Sequence, residues 1–154
     1  FLLRLSGNLA LADDLTQDAF LRICAARGSF VVGAPALPWM LAIARNALRD
    51  HARREQVRRS YRADAVLLES ATRKAASPGA GEGSAIARQT LGAVQGALVN
   101  LPERQREAFV LIRFEGLSLV EAAEVLGATP GAVKILVFRA YKALREALDQ
   151  EGRQ

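Results

Sequence analysis

The chain has 154 residues, 51% hydrophobic and 24% charged, with 21 Lys and Arg against 16 Asp and Glu. That length fits one ordinary domain or two small ones, and the balance of apolar and charged residues excludes global disorder. No apolar run approaches the ~20 residues a membrane-spanning helix needs, one cysteine (Cys24) excludes an internal disulfide, and one histidine (His51) excludes the two-His metal motifs.

Residues 1–5 are too short and wrongly flanked for a signal peptide, and a single cysteine makes a reducing, cytosolic compartment the default. Position 1 is Phe and the only Met is Met40, which points to a fragment or a processed product. Neither metal nor cofactor is expected.

The periodicity is helical throughout, predicting an all-α chain. A first short helix covers about residues 1–6, with Gly7-Asn8 as its stop. A second is expected from Ala12 to Arg27, with Leu15, Ala19 and Ile23 on one stripe, Phe20 beside it, and Asp13 and Asp14 in its first turn, where the helix dipole favours acids. Gly28 to Leu37, with Gly33 and Pro35, reads as a loop. Pro38 then opens a third helix reaching Arg62. Its apolar side is Trp39, Ile43 and Ala47, and beyond Leu48 it is almost entirely polar.

Residues 45–62 hold seven Arg (45, 49, 53, 54, 58, 59 and 62) against Asp50 and Glu55, a net +5 that equals the excess of the whole chain. A cationic stripe of this kind is the footprint of a polyanion partner, because each phosphate contact releases a condensed counterion. A solvated helix face is the alternative.

Arg73 to Ser84, RKAASPGAGEGS, is too rich in Gly, Pro and small residues to bury an apolar face. This composition predicts two small helical domains joined by a flexible linker, with boundaries at 1–62, 63–84 and 85–154. After the linker, helices are expected from Ala85 to Val99 and from Leu101-Pro102 to Gly116. Ser118 with Glu121 three residues on is a capping box, Gly127 a helix stop, and Thr129-Pro130 a cap followed by Pro at the first helical position. Two helices on so tight a turn make a helix-turn-helix over 118–148, whose second helix is the one offered to a DNA major groove. An ordinary helical hairpin is the alternative.

Four stretches resemble the extracytoplasmic-function (ECF) sigma factors of the sigma-70 class. ADDLTQDAFLRI (12–23) is similar to region 2.2, and PWMLAIARNALRDHARR (38–54) to regions 2.3 and 2.4, with Trp39, Ile43, Ala44, Arg45 and Asn46 on the signature. LPERQREAFVL (101–111) is similar to the opening of region 4, and LSLVEAAEVLGATPGAVK (117–134) to its helix-turn-helix.

The resemblance implies a promoter-specificity subunit of bacterial RNA polymerase that contacts the β′ and β subunits of the core, with Asp14, Gln17 and Asp18 on the positions that dock on β′. It implies that Arg45, Asn46, Arg49, Arg53 and Arg54 open and hold the −10 element. There an amide reads an unpaired base edge and the cations take phosphates. Thr129, Lys134, Arg139 and Lys142 are the residues expected at the −35 element. An anti-sigma factor is a further expected partner.

Two departures from the family stand out. Leu136 occupies a place where an Arg is common, so that Lys134 is followed by the apolar run Ile135-Leu136-Val137-Phe138. Weak or T-rich −35 recognition is expected, with Ile135 and Phe138 either touching thymine methyls or forming a protein-binding face. Most of the helix that the family carries ahead of Phe1–Leu5 is missing, which predicts looser packing of the first domain. The competing readings are a stand-alone helix-turn-helix regulator, and a sequestered or defective homologue acting as a protein-interaction module. An enzyme is least consistent with one His, one Cys and no phosphate-cradling glycine loop.

Overall fold

The computed structural model describes residues 1–65 and 94–151, all of the regular structure among them being helical. Helix α1 (Leu2–Ser6) ends at Gly7, whose φ of +67° lies in the left-handed region. A Cβ there would also meet Val99 Cγ2 at 2.6 Å, so both backbone conformation and close approach require glycine.

Asn8 starts the next helix, α2 (Leu9–Ala26), its side chain accepting from the Leu11 amide at 3.1 Å. The expected start at Ala12 is therefore three residues late. Asp13 and Asp14 lie in the second turn and the first turn holds no acid. Asn8 is thus the cap of α2 rather than part of the stop of α1. The stripe expected on α2 buries Leu15 and Ala19, whereas Phe20 is exposed.

A 3₁₀ turn (Arg27–Ser29) and a loop lead to α3 (Ala36–Ala65). This helix begins two residues before Pro38. The proline falls in the first turn, where its missing N–H is no loss. Leu41, Ala44 and Ala47 are buried, Trp39 is half-buried with its ring centroid 5.1 Å from that of Phe30, and the turns after Leu48 are largely exposed. α3 continues past Arg62 to Ala65, three residues into the segment expected as linker. The rest of that segment and the expected helix start at Ala85 lie outside the described residues.

Helix α4 is described over residues 94–100, followed by α5 (Glu103–Arg113), α6 (Leu119–Leu126) and α7 (Pro130–Glu151). The capping box forms as read. Ser118 Oγ accepts from the Glu121 amide at 3.2 Å, and the Glu121 carboxylate accepts from the Ser118 amide at 2.8 Å. Gly127 closes α6 at φ +59°, and at the end of the three-residue turn 127–129 Thr129 Oγ1 caps α7 by accepting from the Ala132 amide at 3.2 Å. Ala123 and Val133 are buried where the two helices cross. The helix-turn-helix is present, with α7 extending beyond Leu148.

Three buried clusters organise the packing. Leu2, Ala12, Leu15, Ala19, Ala44 and Ala47 join α1, α2 and α3. Leu98, Leu101, Phe109, Ala140 and Leu144 join α4, α5 and α7. The third unites the two halves of the chain, setting Leu41 of α3 among Ala108, Leu111, Leu117, Ala122, Val125 and Val133. The Arg4 guanidinium stacks 4.3 Å from the centre of the Phe114 ring and Gln95 Nε2 donates to the Leu3 carbonyl at 3.2 Å, adding polar contacts along the same seam.

Candidate polymerase and nucleic-acid interface

On α2, Asp14 and Gln17 are exposed, and one turn further Phe20 and Leu21 project into solvent at 55% and 72% exposure. An acidic and amide edge thus lies beside exposed large apolar side chains. Phe20, expected beside the core stripe, belongs to this exposed edge instead. Asp18 differs from its two neighbours. Its carboxylate is paired with Arg22 Nη2 at 3.0 Å, while Nη1 of the same guanidinium donates to Asp50 of α3 at 2.8 Å. Asp18 thus takes part in a bridge between α2 and α3. The Arg22 hydrogen bond also holds the Asp50 carboxyl below its ordinary range.

On α3 the predicted cations divide. Asn46, Arg49, Arg53 and Arg54 are exposed, and Asn46, Arg49 and Arg53 fall at helical spacing on one stripe. Arg49 lies 4.0 Å from Glu103 and Arg53 lies 3.8 Å from Asp50, both loose exposed pairs. Arg58 and Arg59 extend the exposed cationic surface. Arg59 lines a cleft of about 590 Å³ with His51, Glu103 and Arg106 between the two halves.

Arg45 corrects the expectation. It is 4% exposed, its Nε and Nη2 donate to the two oxygens of Glu107 at 2.9 and 3.0 Å, and Nη1 donates to the Val125 carbonyl at 3.3 Å. Glu107 is itself 1% exposed. In this conformation Arg45 cannot reach a phosphate. Its planar fork is spent on a buried carboxylate of the second half. The sequence shows Arg45 inside a cationic run and next to exposed Asn46, and nothing local distinguishes it from Arg49.

In the helix-turn-helix, Thr129, Lys134, Arg139 and Lys142 are all exposed, Lys142 lying 3.9 Å from Glu146. Ile135 and Phe138 share their face, Phe138 at 70% exposure. Leu136, by contrast, packs against the cluster that joins the halves. The apolar residue where an Arg is common is therefore a core contact here, and the apolar character of the exposed face comes from Ile135 and Phe138. No group of three or more His, Cys, Asp or Glu suited to a metal ion occurs among the described residues, and no described helix is long and apolar enough to cross a membrane.

Comparison with known proteins agrees with this layout. The family described as Sigma-70 region 2 matches residues 1–58, and that described as Sigma-70, region 4 matches residues 91–144. Among curated relatives, the RNA polymerase sigma factor CarQ of Myxococcus xanthus is 37% identical over 97% of this chain and 82% of its own. The ECF RNA polymerase sigma factor EcfG of Rhodopseudomonas palustris is 34% identical over 99% and 79%. Among solved structures, the sigma factor RpoE of Bartonella quintana, in complex with the anti-sigma factor NepR, superposes with a TM-score of 0.73 at 31% identity, covering 96% of this chain and 86% of that one. CnrH in complex with the cytosolic domain of CnrY gives 0.67 at 28% identity, over 96% and 77%.

A helical region 2 followed by a region 4 that ends in a helix-turn-helix defines a promoter-recognition factor. The chain belongs to the sigma-70 family, in its ECF group.

Proposed function

We propose that this chain is an initiation subunit without catalytic activity of its own, acting in the bacterial cytoplasm. It binds core RNA polymerase through α2 and reads promoter DNA with α3 and α7. The observation that carries the reading is the presence of two sigma regions in the family's order, each with its own exposed face of fitting chemistry. Residues 1–65, to the end of α3, and 85–154 act as two working domains joined by the segment between them.

Asp14 and Gln17, flanked by Phe20 and Leu21, form the polymerase anchor. Asp18 contributes through its bridge to Arg22 more than as a free charge. Asn46, Arg49, Arg53 and Arg54 take the −10 strand, the amide at a base edge and the guanidinium groups at phosphates. Lys134, Arg139 and Lys142 hold the −35 duplex. Thr129, its hydroxyl already capping α7, positions the helix N-terminus beside it. Ile135 and Phe138 meet thymine methyls. A protein that occupies these faces, as NepR accompanies the Bartonella quintana factor, is the corresponding partner class.

The test is binding to purified core polymerase by the native chain and by Asp14→Arg with Gln17→Ala, which leaves the Arg22 bridge intact. Binding by the native chain and its loss in the variant is the expected result. Tight promoter binding without polymerase, and none to the core, would replace this reading with a stand-alone regulator.

A further inference from the structure

We infer that Glu107 is an internal phosphate mimic: in the free chain it occupies the guanidinium fork of Arg45, holds regions 2 and 4 closed on each other, and masks a DNA contact that appears only when they part. This rests on the sigma-factor reading above. Elements centred near −10 and −35 lie about 25 base pairs apart, or about 85 Å of duplex at 3.4 Å per base pair. In the closed chain Leu41, one turn before Arg45, shares a single buried cluster with Val133, the neighbour of Lys134. Helices in contact are separated by about 8–10 Å. The two DNA-reading helices therefore stand a few helix diameters apart, far short of the promoter spacing, and engagement of both elements requires the seam to open.

What opens is built to be reversible. A buried ion pair recovers hydration for both charges once separated, so its net contribution is small compared with its geometric specificity. Carboxylate and phosphate present similar bidentate acceptors to a guanidinium, so Glu107 and a DNA phosphate compete for one site. Arg45, beside Asn46 and one turn before Arg49, would complete the α3 stripe when released. Arg49 is loosely engaged at the same seam by Glu103, at 4.0 Å, so that two cations of the stripe face carboxylates of α5.

Energy transfer between a dye on Cys24, the exposed single cysteine, and one on Glu146→Cys reports closure in the full chain without polymerase. The native protein is expected to show one high-transfer population. Glu107→Gln, which keeps the side-chain volume, is expected to shift it to low transfer with unchanged helical circular dichroism. The same variant should bind a 12-nucleotide dT oligomer at low salt about tenfold more tightly, the value of one charge-assisted contact, and adding Arg45→Ala should remove that gain. Unchanged transfer in folded Glu107→Gln, or opening with no gain in oligomer affinity, would overturn the inference.

Should Glu107→Gln unfold, a second design decides. Leu3→Cys and Gln95→Cys in a Cys24→Ser background are joined by a short reducible cross-linker across the seam. The cross-linked chain is expected to lose promoter opening with core polymerase and to regain it on reduction, whereas full activity while cross-linked overturns the latch. A native chain that shows the closed population but never binds core polymerase contradicts the sigma-factor reading alone.

Discussion

Arg22 and Asp50 are 28 residues apart in sequence and joined by a 2.8 Å hydrogen bond, while the other arm of the same guanidinium holds Asp18 at 3.0 Å. One side chain thus ties α2 to α3 beside the apolar cluster that packs them, and so links the proposed polymerase anchor to the proposed −10 stripe. Arg22→Ala is expected to lower the urea midpoint of unfolding with no change in slope. It should also weaken polymerase binding although Asp14 and Gln17 are untouched. Unaltered binding would show that the crossing angle is set by apolar packing alone.

Acid acts on the same bridge. The Arg22 hydrogen bond lowers the Asp50 pKa from its ordinary 3.8, and the Ser118 backbone amide lowers that of Glu121 from 4.5. Each group is more stable charged in the folded chain. Its contribution is complete above the ordinary carboxylate range and is lost as pH falls through the lowered values. Thermal stability should therefore owe no pH dependence to these two groups between pH 8 and 6 and decline modestly below about pH 4, both groups being solvent-screened. Glu121→Gln should flatten part of that acid limb.

The turn of the helix-turn-helix offers two graded tests. Ser118→Ala removes the acceptor for the Glu121 amide and should cost about 0.5–2 kcal/mol. Gly127→Ala forces a Cβ into the left-handed region at φ +59° with open space around it, which should cost about 1–2 kcal/mol from the backbone alone. Denaturant unfolding followed at the described helices checks both values.

Removing only one partner of the Arg45–Glu107 pair strands a buried charge, which typically costs about 3–5 kcal/mol. Here the loss is capped, because the halves can separate and hydrate the orphan. Arg45→Ala should therefore destabilise by less than that range, whereas Arg45→Met with Glu107→Leu should keep the seam closed with near-native stability. Chemical denaturation of the three proteins side by side reads the cap directly.

Each of Arg49→Ala, Arg53→Ala and Arg54→Ala should weaken holoenzyme binding to promoter DNA evenly across sequences and reduce the slope of log affinity against log salt by about 1. Selection of −35 sequences by the same holoenzyme should return T-rich sites, through the exposed Ile135 and Phe138. A strong preference for G-rich sites would contradict that assignment.

Local chemistry makes much of this legible. Ser118, Glu121, Gly127, Thr129 and Pro130 each act on backbone groups within four residues, so their pattern is readable in sequence and the helix-turn-helix lies where that pattern puts it. Asn8 misleads because a two-residue corner ends one helix and starts another, and stop and start signals there overlap. Phe20 and Leu136 fall on the opposite sides from those expected because amphipathic periodicity locates a stripe only to within about a residue. Arg45 is beyond reach for a different reason. Its partner Glu107 is 62 residues away in sequence, and the contact depends on how two regions pack, which no local spacing encodes.

The most direct test of the whole account is run-off transcription by purified core polymerase on a library of promoter sequences, with and without this chain. Transcripts are expected that depend on the chain, start at a fixed distance from shared −10 and −35 elements, and disappear with Asp14→Arg and Gln17→Ala. No chain-dependent transcript from a folded protein that binds core polymerase would contradict it.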